Sequence, residues 1–249
     1  MEDGLIHPNY PRPPIVEAVI ELKFENPVPF DLLARGKKTW AKHYEDVTDD
    51  VIFSLEVNFE SGLSRSPSRT PGGMKFHSKD QSDVLTIDTK AFLVAKLAPY
   101  TGWAEFSSRM VRDWKIFRDK VGIRDLIRVG CRFINRIDIP LGDSSVINTS
   151  EYVTFGPSYP DRFGQDITEF ALLLARNEPE FEGRNRVTIK MAPSPVPNHV
   201  AIVLDIDVYT ESRIPKKIEE LTKLLEDMRK AKNDSFEMAI TDKTRELFS

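Results

Sequence analysis

Residues 127–139 read Ile-Arg-Val-Gly-Cys-Arg-Phe-Ile-Asn-Arg-Ile-Asp-Ile and form the longest strand candidate in the chain. Side chains in a strand point alternately to its two faces. Apolar side chains dominate one face of this segment, and the other face carries four charged side chains: Arg128, Arg132, Arg136 and Asp138. A strand with one apolar and one charged face is typical of an antiparallel sheet that is covered on one side.

The same alternation recurs on both sides of this strand. It predicts further strands at residues 15–24, 51–57, 74–78, 84–89, 92–97, 167–175, 186–191 and 199–209. Apolar residues at spacings of three and four predict amphipathic helices from Trp103 to Val121 and from Ile214 to Met228. Shorter helices are predicted at 30–44 and 236–248, and a turn-rich loop at 61–73.

Runs of strands interrupted by occasional helices predict the α+β class. We expect a largely antiparallel sheet covered by two long amphipathic helices. A chain of 249 residues can bury a core without disulfides, so we interpret residues 1–249 as a single α+β domain. A division into two similar halves, 15–121 and 127–249, stays open, because each contains strands followed by a long amphipathic helix.

Composition narrows the classes of partner and compartment. The formal net charge is −4, from 35 basic and 39 acidic side chains, so nothing global directs the chain to nucleic acid or to an anionic membrane. The single cysteine, Cys131, fits a reducing compartment. The acidic start lacks the apolar region of a secretory signal, and no segment has the apolar length of a membrane helix. We expect a soluble, cytoplasmic protein.

No motif of a familiar catalytic class occurs in the sequence. Phosphate-binding glycine loops, zinc-ligand spacings and the G-x-S-x-G elbow are all absent. We therefore predict no catalytic residue, metal or cofactor. Cys131 is interpreted as a buried thiol rather than a nucleophile. Asp83 and Asp88 loosely resemble a nuclease magnesium site, but residues 88–90 fit a hairpin turn better.

The charged face of the 127–139 strand is the strongest candidate for a functional surface. A row of guanidinium groups suits the recognition of phosphate or carboxylate, because each can bind two oxygens in a plane. The candidate binding residues are Glu17, Glu21, Arg128, Arg132, Arg136 and Asp138. A simpler interpretation is that acids on neighbouring strands, namely Glu17, Glu21, Asp205 and Asp207, form cross-strand ion pairs with the arginines.

Three segments carry a resemblance to a known group of proteins: residues 13–18 (PPIVEA), 132–137 (RFINRI) and the C-terminal pattern of Phe236, 240–243 and 246–248. Together they resemble a sporadically distributed family of uncharacterised bacterial proteins of similar length. The resemblance implies no established activity, cofactor or catalytic set. Its scattered distribution implies genes carried on mobile or defence-associated islands.

Two hypotheses of function follow from these features. The first is a non-enzymatic binding or regulatory protein that holds a protein partner, a nucleotide or a nucleic acid on the charged face, in a bacterial defence or toxin-control system. The second is a metal-dependent hydrolase or nuclease whose carboxylates converge only in the folded chain, with the arginines as clamps on a phosphate. Its candidate acids are Glu17, Glu21, Asp138, Asp205 and Asp207. No membrane partner is expected.

Overall fold

The computed structural model describes residues 10–57, 65–142, 147–156 and 169–249, with the backbone alone for 50–57 and 65–71. The strands are β1 (Ile15–Phe24), β2 (Asp46–Val57), β3 (Arg65–His77), β4 (Asp83–Asp88), β5 (Ala91–Leu97), β6 (Leu126–Pro140), β7 (Ala171–Glu178), β8 (Gly183–Pro193) and β9 (His199–Thr210). The helices are α1 (Phe30–Ala34), α2 (Lys37–Trp40), α3 (Trp103–Lys120), α4 (Ile218–Ala239) and α5 (Asp242–Glu246).

The nine strands form a sheet with the order β2-β3-β4-β5-β1-β6-β9-β8-β7. Antiparallel ladders join β2 to β5 in succession and β7 to β9 in succession. The α+β class and the largely antiparallel sheet are therefore confirmed. The predicted strands at 15–24 and 127–139 correspond to β1 and β6, which lie beside each other in the order.

The chain folds as two compact units, and strands β1 and β6 contribute residues to both. The first, which we call the meander unit, comprises the described residues of 20–97 and 101–129. The second, the C-terminal unit, comprises residues 10–19, 98–100 and the described residues from 130 onwards. The charged residues of β6 from Arg132 onwards belong to the C-terminal unit.

The aromatic stripe of α3 forms the core of the meander unit. Phe106 and Phe117 are buried, with exposed fractions of 2% and 0%. The ring of Phe117 stacks on Phe24 of β1 at 5.1 Å and on Trp114 at 4.8 Å, and Phe92 of β5 meets Trp114 edge-on at 5.1 Å. Aromatic residues spaced to share one helix face therefore interlock with strand residues on the apolar side of the sheet.

Helix α4 forms the corresponding core of the C-terminal unit. It contacts β8 and β9 and buries Leu221, Leu225 and Met228. The segment before β1 packs against the end of the chain, where Tyr10 meets the ring of Phe248 edge-on at 5.3 Å. Neither α4 nor any other helix in the described part of the chain is long and apolar enough to cross a membrane.

The helix predicted over residues 30–44 is instead two short helices, α1 and α2. Trp40 is fully buried, and its ring lies against Gly36, where a side chain would collide with it. This close approach of ring to backbone occurs at the junction of the two helices, and only glycine permits it.

The predicted loop over residues 61–73 is largely wrong, because β3 begins at Arg65; residues 58–64 lie outside the described part. Prolines and glycines in this segment favoured a loop at the sequence level. Residues 65–71 pair only with β2, whereas the pairing with β4 begins at Gly73. Proline is tolerated in a strand that has a neighbour on one side only, because no ladder hydrogen bond from its nitrogen is needed there.

The predicted separation between the helix that ends at Met228 and a further helix at 236–248 is also wrong. Helix α4 continues to Ala239, and only α5 follows it. Asn and Asp disfavour a helix interior by less than about 1 kcal/mol each. Here both side chains are half-buried, whereas Ser235 and Phe236 beside them are buried. Packing of the apolar face outweighs the local preference.

A buried polar network in the meander unit links residues of α3 to Tyr44 and Asp83. Asp113 is completely buried and accepts a hydrogen bond from the Tyr44 hydroxyl at 2.6 Å. The Arg112 guanidinium donates to both oxygens of Asp113 at 3.0 Å. Arg109, also buried, donates to the Tyr44 hydroxyl at 3.3 Å and lies 3.4 Å from the Asp83 carboxylate. The network therefore joins two acids and two arginines through one phenol.

Candidate functional site

Strand β6 has the alternation that its sequence predicts. Val129, Cys131, Phe133, Asn135, Ile137 and Ile139 are buried. The charged residues between them, Arg128, Arg132, Arg136 and Asp138, are half-buried or exposed. In the C-terminal unit this side of the sheet also carries charged residues of β8 and β9. We call it the charged face; it consists of Glu17, Arg132, Arg136, Asp138, Arg186, Asp205 and Asp207.

The pair of Arg132 and Asp205 is the best-formed contact on the charged face. The guanidinium donates from Nε to Oδ1 at 2.8 Å and from Nη2 to Oδ2 at 2.5 Å, so the two planar groups meet fork to fork. These hydrogen bonds raise the pKa of Arg132, and the charges of Asp205, Asp207 and Glu17 act in the same direction. Arg132 is thus fixed as a cation with a defined orientation.

Two further pairs extend the charged face on either side. On β6, Arg136 donates from Nε to the two oxygens of Asp138 at 3.2 and 3.1 Å. Asp138 also accepts a hydrogen bond from the Ser194 hydroxyl at 2.7 Å. Between β8 and β9, Arg186 lies directly opposite Asp207 in the ladder and donates to it at 3.5 Å. Each carboxylate of these pairs therefore has a guanidinium partner.

In all three pairs the cation is more exposed than the acid. The side chain of Arg132 is 49% exposed and that of Asp205 is 20% exposed. The values for Arg186 and Asp207 are 48% and 9%, and the pair on β6 follows the same order. The carboxylates lie at the base of the face and hold the guanidinium groups outward. The guanidinium groups are therefore the more accessible charges of the face, although Asp138 and Asp205 are also partly exposed and the formal charges nearly cancel.

The remaining predicted residues lie elsewhere or act indirectly. Arg128 and Glu21 belong to the meander unit, where they form an ion pair with each other. Glu17 is half-buried in the C-terminal unit and contributes to the charge around Arg132. The cross-strand ion pairs expected as the simpler interpretation are confirmed for Arg128 and Arg132. The structure brings Arg132, Arg136, Asp138 and Glu17 into one unit.

The three segments that carry the family resemblance also lie in the C-terminal unit. No model of a known protein family matches the chain, and no curated protein matches it. The first two segments meet where the backbone N–H of Arg136 donates to the carbonyl of Pro14 at 2.9 Å. The third fixes residues 151–154, because Thr244 donates to the carbonyl of Tyr152 at 2.6 Å and Ile240 pairs with Val153.

The remaining residues that the sequence analysis considered as catalytic or metal-binding candidates have structural roles. Asp88 accepts hydrogen bonds from the backbone N–H groups of Lys90 and Ala91 at 2.6 and 2.8 Å, which is the turn expected at residues 88–90. Asp83 instead pairs with Lys96 at 3.1 Å. Cys131 is fully buried, and burial raises the pKa of its thiol to about 12. Within the described ranges, no group of three His, Cys, Asp or Glu side chains is placed to hold a metal ion.

Sequence reasoning missed several buried polar side chains, of which Asp113, Asn185 and Lys232 are examples. Asp113 lies within the aromatic stripe of α3. Asn185 lies on the same buried side of β8 as Val187. Lys232 follows Met228 by one turn on the buried side of α4. A polar residue at a core position is the signal that could have found them, since burial of such a group requires a partner. Lys232 lies over the ring of Phe133, with Nζ 4.1 Å from the ring centre.

We expect Arg132→Ala to lower the free energy of unfolding by less than about 1 kcal/mol, because exposed ion pairs contribute little to stability. Urea denaturation of the wild type, Arg132→Ala, Asp205→Ala and the double variant measures the coupling between the two side chains. A decrease of about 3 kcal/mol or more in the free energy of unfolding of Arg132→Ala would show that the arginine is needed for the fold. That result would argue against the charged face as a binding surface.

Proposed function

We propose that this protein is a non-enzymatic binding or regulatory protein that holds a protein partner or an anionic ligand on the charged face of its C-terminal unit. The supporting observation is the position of the guanidinium groups of Arg132, Arg136 and Arg186, each more exposed than the carboxylate that orients it. Oriented cations at a surface can recognise carboxylates or phosphates with little loss of side-chain freedom.

Arg132 is the centre of the proposed surface. A guanidinium has five N–H donors, and the contact with Asp205 uses two of them, one on Nε and one on Nη2. The other donors can therefore bond to an acidic group of a partner while the internal pair is kept. Because binding does not need to break that pair, Asp205 acts as a positioning residue for Arg132.

Among the ligand classes, the mixed signs of the charged face favour a protein. A nucleic acid is a continuous polyanion, and it would meet Asp138 and Asp205 as well as the arginines. A protein surface can place basic groups opposite these acids and acidic groups opposite the cations, which gives complementarity at each position. A nucleotide, with its few charges in one place, could engage Arg132 or Arg186 alone.

The rival function, a metal-dependent hydrolase or nuclease, finds less support in this geometry. A divalent cation in such a site is held by carboxylates that converge on it. Here Asp138, Asp205 and Asp207 are each matched to a different arginine. Positive charge beside each of these three carboxylates opposes the approach of a metal ion.

We also propose the setting and the internal organisation of the protein. The setting is a bacterial defence or toxin-control system, which rests on the family resemblance alone, and its compartment is the cytoplasm, which rests on the single cysteine. The organisation is two similar halves, residues 15–121 and 127–249, in which one long amphipathic helix covers the strands of each half. The 18-residue α3 and the 22-residue α4 are the helices that would play this part.

Charge reversal tests the proposed function. The tagged protein is purified from its native host, and the material bound to it is measured by mass spectrometry for proteins and by sequencing for nucleic acid. We expect a stoichiometric protein partner, and we expect Arg132→Glu with Arg136→Glu to weaken its binding at least about tenfold, since like charges then face each other.

Lys223→Glu with Lys230→Glu is a suitable control, because both lysines are exposed on α4, which packs against the apolar side of the sheet. It changes the net charge by the same sign without touching the paired arginines. Equal weakening by the control would mean that only overall charge matters. A wild-type protein that is recovered bare, or a folded double variant that keeps its partner, contradicts the proposal.

A further inference from the structure

Strand β7 is the last strand in the sheet order, and in the described part of the chain its only ladder partner is β8. The outer N–H and C=O groups of an edge strand are free to pair with another extended chain. Most residues of β7 are exposed, including Leu173 at 57% and Leu174 at 43%. The edge is therefore accessible to a partner strand.

Strand β8, the inner neighbour of β7, carries three exposed cations on one side, namely Arg184, Arg186 and Lys190. Arg186 lies opposite Asp207 of β9 and contacts it. Arg184 and Lys190 form no ion pair with a described residue. The residues opposite them in the two ladders are uncharged: Tyr209, Asn177, Val203 and Ala171. These two cations are therefore available to an acid that comes from outside.

The side chains of β7 between these cations and the edge are small. Ala171 lies opposite Lys190, and Ala175 lies opposite Arg186. A strand added to β7 would be roughly 10 Å from β8, because it would be the second strand along. Long side chains reach diagonal and more distant neighbours on one face of a sheet. Lysine and arginine of β8 can therefore extend over an alanine to meet a glutamate of the added strand.

We propose that the edge of β7 binds an acidic segment of a partner protein, which adds to the sheet in the extended conformation. Every second side chain of the added strand lies opposite one of four residues of β7: Ala171, Leu173, Ala175 and Asn177. The cations of β8 lie behind the first, third and fourth of these positions, so acids are favoured there. Leu173 favours an apolar side chain at the second. The segment therefore carries the pattern acid-x-apolar-x-acid-x-acid, counted from Ala171.

A second copy of the chain fits this edge less well than an acidic segment. Antiparallel pairing of β7 with itself would place the cations of two β8 strands on one face. The β7 residues between them on that face are Ala, Leu and Asn, which carry no compensating negative charge. Like charges disfavour such pairing, whereas they attract an acidic segment. The inference goes beyond the proposed function, because it requires neither Arg132 nor Arg136.

An acidic heptapeptide with the sequence Glu-Thr-Glu-Thr-Leu-Thr-Glu tests the proposal. It places the recognised pattern along β7 in the antiparallel direction. The peptide carries a fluorophore on an N-terminal linker, and its fluorescence anisotropy is followed as the full chain is added. We expect saturable binding with a dissociation constant of about 10–100 μM. A peptide with Gln in place of each Glu is expected to bind at least about tenfold more weakly, because the cations then meet neutral amides.

N-methylation of the peptide distinguishes strand addition from a general attraction of charge. The N–H groups of successive residues in a paired strand point to opposite sides. Two peptides are compared, one methylated on the third backbone nitrogen and one on the fourth, and their charges are identical. We expect one of them to bind at least about tenfold more weakly than the parent peptide, and the other to bind within about threefold of it.

Charge reversal in the protein identifies the cations. Arg184→Glu with Lys190→Glu is expected to weaken binding of the acidic peptide at least about tenfold. Lys223→Glu with Lys230→Glu makes the same change in net charge on exposed positions of α4, and it is expected to change binding less than about twofold. The methylated peptides are measured with the wild type, so they decide the question even if the variant does not fold.

The variant Arg132→Glu with Arg136→Glu separates this inference from the proposed function. We expect it to bind the acidic peptide within about threefold of the wild type, although it loses the partner of the charged face. No saturable binding, equal binding of the Glu and Gln peptides, equal effects of the two methyl groups or equal effects of the two lysine-containing and arginine-containing charge reversals overturns the inference. A dimer of the chain that the peptide dissociates would show that a second copy occupies the edge, and it would overturn the inference as well.

Discussion

Replacement of Asp113 by alanine is expected to lower the free energy of unfolding by about 3–5 kcal/mol. Asp113 is completely buried and holds Tyr44 and Arg112 through three hydrogen bonds of 2.6–3.0 Å. Its removal leaves the Tyr44 hydroxyl without an acceptor in a buried site. It also leaves Arg109, which is buried nearby, with less negative charge around it. Urea denaturation of the full chain measures the change.

Asp119 of the same helix is the matched control. Its side chain is 69% exposed and pairs with Lys120, at 2.6 Å. We expect Asp119→Ala to cost less than about 1 kcal/mol, because solvent screens such a pair. The two aspartates have the same chemistry and differ in burial, so the comparison isolates the buried network. Equal costs for the two substitutions would mean that the network contributes no more than a surface pair.

Replacement of Lys232 by methionine is expected to raise the free energy of unfolding by up to about 3 kcal/mol near pH 7. Lys232 is buried in the C-terminal unit, and burial lowers the pKa of its amine from 10.5 to about 8. The charged amine is therefore unfavourable in the folded chain. Methionine has a similar length, no charge and a thioether that packs well on the ring of Phe133. Its gain is reduced by the loss of the contact between the ammonium group and that ring.

The dependence of this gain on pH follows from the direction of the pKa shift. Between pH 8 and 10.5 the unfolded chain binds more protons at Lys232 than the folded chain does, so wild-type stability at this residue rises with pH. Below pH 8 both states hold the proton and the full cost is present. The advantage of Lys232→Met should therefore fall from about 3 kcal/mol near pH 7 to about 1 kcal/mol near pH 9.5.

The variant must be compared with the wild type at each pH, because Cys131 acts in the opposite direction. Burial raises the pKa of its thiol, so stability at that residue falls above pH 9. Lys230→Met, an exposed neighbour on α4, is the control and should change stability by less than about 0.5 kcal/mol at every pH. A Lys232→Met variant that is less stable than the wild type near pH 7 would show that the amine is favourable where it lies.

The boundaries of β1 and β6 were the part of the fold that the sequence predicted best, whereas β2 begins at Asp46, ahead of the predicted 51–57. Burial alternates along most of β1 and β6, and a period of two over that length is typical of a strand and does not fit a helix. Local preference misled the prediction at Asn233 and Asp234, and it did so again in the proline-containing part of β3. In both places contacts distant in the sequence decide the structure, and propensity alone does not contain them.

The candidate site could be predicted only as a set of residue types. Periodicity placed Arg132 and Asp205 on polar faces of their strands, but the fork-to-fork contact depends on the register of β6 and β9. The sequence of either strand alone does not determine that register.

The measurement that tests the central claim most directly is the affinity of the isolated partner for a charge-swapped protein, Arg132→Asp with Asp205→Arg. The swap keeps an ion pair between β6 and β9 and leaves the net charge unchanged, but it moves the exposed cation to the neighbouring strand. If the charged face is the binding surface, the dissociation constant rises at least about tenfold while stability stays within about 1 kcal/mol of the wild type. A charge-swapped protein that binds the partner as the wild type does would contradict the account, because the pair would then serve the fold alone.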